Sequence, residues 1–134
     1  MCGSLTFDWN KWKGELEEVW RNIPKPFRSE HTVRGTLQSY LYCKLRDTGL
    51  CVIADYRPPR VQERPIDLIA LDDDSKVVCA ICIDSLITLQ AVKSLDSLDA
   101  SHKVIFTIGV LEKKVKESRF FLKQNIDHVH LKPF

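Results

Sequence analysis

The chain has 134 residues, 44% of them hydrophobic and 28% charged, with a net charge of +2. That suits one soluble domain able to bury a core without disulfides or a structural metal. No apolar run approaches the ~18 residues a membrane-spanning helix needs. The charged, tryptophan-rich start MCGSLTFDWNKWKGELEEVW is unlike a signal peptide. A cytoplasmic protein without a membrane partner is therefore expected. The five cysteines, Cys2, Cys43, Cys51, Cys79 and Cys82, read as free thiols of a reducing compartment rather than as a disulfide framework.

Charge is unevenly spread. Residues 25–64 carry eight Lys/Arg against four acids, residues 65–102 two against seven, and residues 103–134 seven against three. An acidic middle between two basic segments supplies carboxylates for a metal and cations for phosphates.

The first predicted element is a helix over 8–23. Asp8 caps it, and Trp9, Trp12, Leu16, Val19, Trp20 and Ile23 form one apolar stripe that faces a core. Pro24 and Pro26 end it. A second helix runs from Ser29 to Asp47, with Val33, Leu37, Tyr40, Leu41 and Leu45 at helical spacing and Thr48-Gly49 at its end. Strands follow at Leu50–Tyr56, Ile66–Leu71 and Lys76–Ile83. The last two are apolar on both faces, hence central, and the acidic turn Asp72–Ser75 joins them as a hairpin. Asp84 or Ser85 caps a helix over Leu86–Leu98. A strand at Lys103–Val110, a helix at Glu112–Gln124 and a short final strand in IDHVHLKPF complete the pattern. The whole chain, 1–134, reads as one domain: an extra N-terminal helix (8–23), a core (29–110) and a C-terminal helix and tail (111–134).

Two acids stand out. Asp67 interrupts the apolar strand PIDLIAL, and Asp84 ends the apolar run VVCAICID. Burying a carboxylate is costly unless a cation compensates. Two such groups converging at one end of a hairpin outline a divalent-cation site. The CAIC pair, Cys79 and Cys82, has half-site spacing, but residues three apart on a strand face opposite ways, and no second half-site follows. His128 and His130 alternate, so on a strand their rings share a face.

From Ser29 to Val110 the chain resembles the PD-(D/E)xK nuclease superfamily. The resemblance rests on an α-β-β-β-α-β order, on Glu30 in SEHTVRGTL, on Asp67 in RPIDLIAL, on Cys82-Ile83-Asp84 at the third-strand (D/E)-x-K position, and on Gln90 in TLQAV. It implies an α/β, restriction-endonuclease-like fold with a mixed central sheet and helices on both faces. It further implies Glu30, Asp67, Asp84 and Gln90 as the catalytic set, with Asp67 and Asp84 holding Mg²⁺ or Mn²⁺. The motif is degenerate. Cys82 replaces a carboxylate, and a thiol is a poor ligand for these ions. Asp84 replaces the lysine, and an aspartate brings no positive charge to a phosphate. Lys76 and Lys93 are the nearby substitutes in sequence. Three functions follow: a catalytically impaired or silent domain that binds DNA, RNA or a protein partner; an active Mg²⁺/Mn²⁺-dependent endonuclease with an atypical site; or an interaction domain unrelated to nucleic acid.

Overall fold

The computed structural model describes residues 7–60 and 64–133. Its helices are α1 (Trp9–Arg21), α2 (Glu30–Asp47), α3 (Leu89–Asp96) and α4 (Glu112–Ser118). Its strands are β1 (Cys51–Tyr56), β2 (Ile66–Leu71), β3 (Val77–Asp84), β4 (His102–Thr107) and β5 (Asp127–His130). One five-stranded sheet has the order β1-β2-β3-β4-β5. Strands β1, β2 and β3 form an antiparallel meander. Strand β4 lies parallel to β3 and β5 parallel to β4. From α2 to β4 the order is α-β-β-β-α-β, as expected, in a mixed α/β fold.

Local signals set the helix starts. Asp8 accepts a hydrogen bond from the Lys11 amide at 3.2 Å, and Ser29 accepts from the Thr32 amide at 3.1 Å, the expected use of an N-cap oxygen. Gly49 sits at φ 92° just after α2, a left-handed position suited to glycine. On α2, Leu37, Leu41 and Leu45 recur every four residues and are fully buried. Burying each such side chain contributes about 2 kcal/mol before entropic costs.

The sheet is covered on both faces. Helices α1 and α2 pack on Leu68, Ala70, Cys79, Ile81, Ile83, Val104 and Phe106. Helix α3 brings Ala91, Val92 and Leu95 onto Ile69, Ala80, Cys82 and Ile105. The double-sided apolar character of β2 and β3 thus has the predicted cause. Trp12 and Trp20 are buried in the first cluster, so the tryptophan stripe is core.

Two helices are shorter than their sequence pattern suggests. Helix α3 begins at Leu89, capped by Thr88, whose hydroxyl accepts from the Ala91 amide at 3.1 Å; neither Asp84 nor Ser85 caps it. The Ile87 amide is already held by Ser118 Oγ at 3.1 Å, and the chain bends at Ser85–Leu86 before the helix begins. Helix α4 ends at Ser118, and a 3₁₀ turn over Arg119–Phe121 replaces its predicted second half. Ser118 Oγ also donates to the Val115 carbonyl at 2.6 Å. Strand β4 ends at Thr107 rather than Val110. Beyond it the chain presses on the end of β3: the Gly109 amide bonds the Ser85 carbonyl at 3.0 Å, and a Cβ on Gly109 would lie 2.5 Å from that oxygen.

Candidate active site

The paired register of β2 and β3 ends at Leu68↔Ile81. Beyond it, side chains bond the Ile83 peptide. Its N–H donates to Asp67 Oδ2 at 2.6 Å. Its carbonyl accepts from Arg34 Nε at 3.1 Å and from Arg64 Nη2 at 3.2 Å. Asp67, fully buried, therefore helps close the sheet where the central strands part. It satisfies a backbone donor that would otherwise be orphaned.

The same carboxylate is clamped by two guanidinium groups. Arg34, from α2, pairs with Asp67 Oδ1. Arg64, just before β2, pairs with Asp67 Oδ2 at 2.9 Å. Arg64 Nη2 also lies 3.1 Å from Asp84 Oδ2, and its Nε lies 3.2 Å from the same oxygen. Asp67 and Asp84 do converge, but on one arginine nitrogen. The Arg64 side chain is only 13% exposed and is anchored further by its own backbone, whose carbonyl accepts from Ser94 Oγ of α3 at 2.5 Å. Arg34, Arg64, Asp67 and Asp84 form a quartet with no net formal charge.

Gln38 supports the arrangement. Its amide nitrogen donates to the Asp67 carbonyl at 2.9 Å and to Asp55 Oδ1 at 3.1 Å. Asp55 sits at φ 53° within the edge strand β1, a conformation non-glycine residues adopt at a cost and mostly near functional sites.

The other expected residues are placed as follows. Glu30 accepts from Ser85 Oγ at 2.7 Å, tying the start of α2 to the end of β3; no bond joins it to the quartet among the described residues. Gln90 is exposed on α3, and Lys76 and Lys93 are exposed as well. Cys82 is fully buried under α3 while Cys79 faces the α1–α2 side, as alternation requires. Burial pushes both thiols up to about 12, so without a metal they stay protonated near neutral pH. Burial raises the Asp84 pKa as well, against the opposing charge of Arg64. Among the described residues no three His, Cys, Asp or Glu side chains are grouped to hold a metal. Asp67 and Asp84 would need a third ligand and a displaced Arg64 to fit the divalent ion the resemblance implies. The residues present therefore do not fit it.

Sequence reasoning missed Arg34, Gln38 and Arg64. A signal for two of them was present: Glu30, Arg34 and Gln38 recur at four-residue spacing and so share one face of α2.

His128 and His130 do share a face of β5, and Thr107 Oγ1 bridges them, 2.8 Å from His128 Nε2 and 2.9 Å from His130 Nδ1. Burial, with Arg119 and His130 nearby, lowers the His128 pKa from 6.5 to about 4. The unfolded chain then takes up a proton near pH 6.5 that the folded protein accepts only near pH 4. Stability from this group is present above pH 6.5 and is lost as pH falls toward 4. Urea titrations at pH 7 and pH 5 should show a smaller pH-dependent loss for His128→Gln than for the wild type.

Among the described residues no helix is long and apolar enough to cross a membrane. No protein-family model matches the sequence, and no curated protein matches it significantly. The chain is similar in structure to a repair endonuclease from Pyrococcus abyssi, with a TM-score of 0.43 and 14% identity over 80% of this chain. The match covers 48% of that protein, so this chain spans about half its length, and a likeness at that TM-score assigns neither family nor activity.

Proposed function

We propose that the chain is a catalytically silent PD-(D/E)xK-like domain that binds nucleic acid without a metal. The observation that carries this reading is the Arg64 guanidinium seated between Asp67 and Asp84. An active site of this kind needs uncompensated carboxylates to draw in a divalent ion. Here an internal cation already meets both, and Arg34 balances the remaining charge. The lysine that would steady charge on a phosphate is absent from the third strand, where Asp84 stands.

Support for nucleic acid as the partner is electrostatic. Between residues 112 and 123 five cations, Lys113, Lys114, Lys116, Arg119 and Lys123, face two acids, Glu112 and Glu117. All seven are exposed. Such a patch binds phosphates by releasing counterions. Neutralising about three phosphates weakens binding roughly 20- to 40-fold between 50 and 200 mM salt. Fluorescence anisotropy with labelled single- and double-stranded DNA and RNA, in EDTA, tests this. A steep salt dependence unaffected by EDTA is expected. A flat one removes nucleic acid as the partner and favours a protein ligand.

An active nuclease is the second reading, favoured by one observation: both carboxylates reach a single nitrogen, so an ion that displaced Arg64 would find two ligands together.

A further inference from the structure

Away from the quartet, α4, the 3₁₀ turn and β5 border a half-open cavity of about 220 Å³ lined by Glu112, Val115, Lys116, Arg119, His128 and His130. Its charges are unbalanced. The Glu112 carboxylate is already paired with Lys132 at 2.9 Å. Among the described residues the side chains of Lys116 and Arg119 have no hydrogen-bond or ion-pair partner.

The histidines add directional donors. One Thr107 hydroxyl proton can serve only one of the two rings that flank it, so the other ring must donate to the oxygen. His128 Nδ1 has no hydrogen-bond partner among the described residues, and a protonated ring donates from both of its nitrogens. The buried Thr107 fixes both rings from below. The cavity wall therefore offers an imidazole N–H, a guanidinium and an ammonium, a donor set for a tetrahedral oxyanion. A metal ion would meet two cations there. Arg119 and His128 also line a neighbouring cavity of about 860 Å³ that includes Trp9 and Lys123, so the anion can carry a larger group.

We propose that the cavity between α4 and β5 is a phosphate-binding site in which Lys116, Arg119 and His128 hold a phosphate monoester. The site shares no residue with the quartet, so it stands whether or not that centre is silent, but Lys116 and Arg119 also belong to the cationic patch proposed above for nucleic acid, and the inference deepens that part of the reading. The groups facing His128 are Arg119, His130 and Thr107; those facing His130 are Thr107, His128, Glu112, Lys132 and Lys13. A dianion beside them favours the protonated rings.

The test is NMR titration of the full chain with inorganic phosphate at constant ionic strength, against chloride. Saturable shifts of the His128 and His130 ring signals are expected, with the His128 titration moved to higher pH. Arg119→Ala should weaken phosphate binding about tenfold to a hundredfold. Lys116→Ala, at another exposed and unpaired position, provides a second variant. A 5′-phosphorylated oligonucleotide that binds about tenfold tighter than its hydroxyl-ended counterpart, with the difference lost in Arg119→Ala, identifies a nucleic-acid end as the source. Equal binding of the two, with the phosphate shifts retained, identifies free phosphate or a small phosphomonoester. Shifts that do not saturate, that chloride reproduces, or that survive both substitutions overturn the proposal.

Discussion

Asp67→Ala is expected to destabilise the protein by about 3–5 kcal/mol, the cost of removing one partner from a buried ion pair. The substitution leaves Arg34 without its acid and Arg64 with Asp84 alone, and it strips the Ile83 amide of its acceptor. Asp84→Ala should be far milder, about 1 kcal/mol. Its side chain is 25% exposed and, among the described residues, bonds only Arg64. Asp67→Asn keeps an oxygen for Ile83 and should fall between the two. Urea or thermal denaturation of the three variants checks the ranking. Equal effects of Asp67→Ala and Asp84→Ala would mean that Asp67 does not hold the parted strands together. The ranking also bears on function, because lost activity in Asp67→Ala would reflect unfolding before it reflected chemistry.

The second large effect is expected at Arg64. Arg64→Ala removes the cation between the carboxylates and leaves a net negative charge, since only Arg34 remains opposite Asp67 and Asp84. In EDTA this variant should lose about 3 kcal/mol. Added Mn²⁺ should then restore part of the loss by binding the folded state alone. At ten times its dissociation constant the gain is about 1.4 kcal/mol, or about 3–5 °C in Tm for a chain of this size. The wild-type Tm should not respond to Mn²⁺. A wild-type response equal to that of Arg64→Ala would mean that the arginine does not compete with a metal.

The fold was legible where physical signals are local. Asp8 and Ser29 announced helix starts through their caps, the leucines of α2 announced its buried face, and the two-sided apolar strands announced the centre of the sheet. Helices α3 and α4 were overestimated because a tertiary bond outweighed the local pattern: Ser118 Oγ reaches the Ile87 amide across the sheet end and its own helix at Val115. At the site, Asp67 and Asp84 were legible as acids interrupting apolar strands. Their neutralisation was not, because Arg34 reaches Asp67 from a separate helix, and Arg64, though only three residues before Asp67, meets Asp84 only once β2 and β3 pair. The need for a compensating cation was readable. Its identity, arginine in place of a metal, depended on the packing of α2 against β2 and β3.

The most direct test of the central claim is cleavage of supercoiled plasmid, single-stranded DNA and RNA by the wild type in Mg²⁺ and Mn²⁺. Asp84→Asn serves beside it as a variant that keeps the fold. An arginine-filled site predicts no metal-dependent cleavage of any substrate by either protein. Mn²⁺-dependent cleavage by the wild type that vanishes in folded Asp84→Asn would contradict it, and would mean that Arg64 yields its place to a catalytic ion.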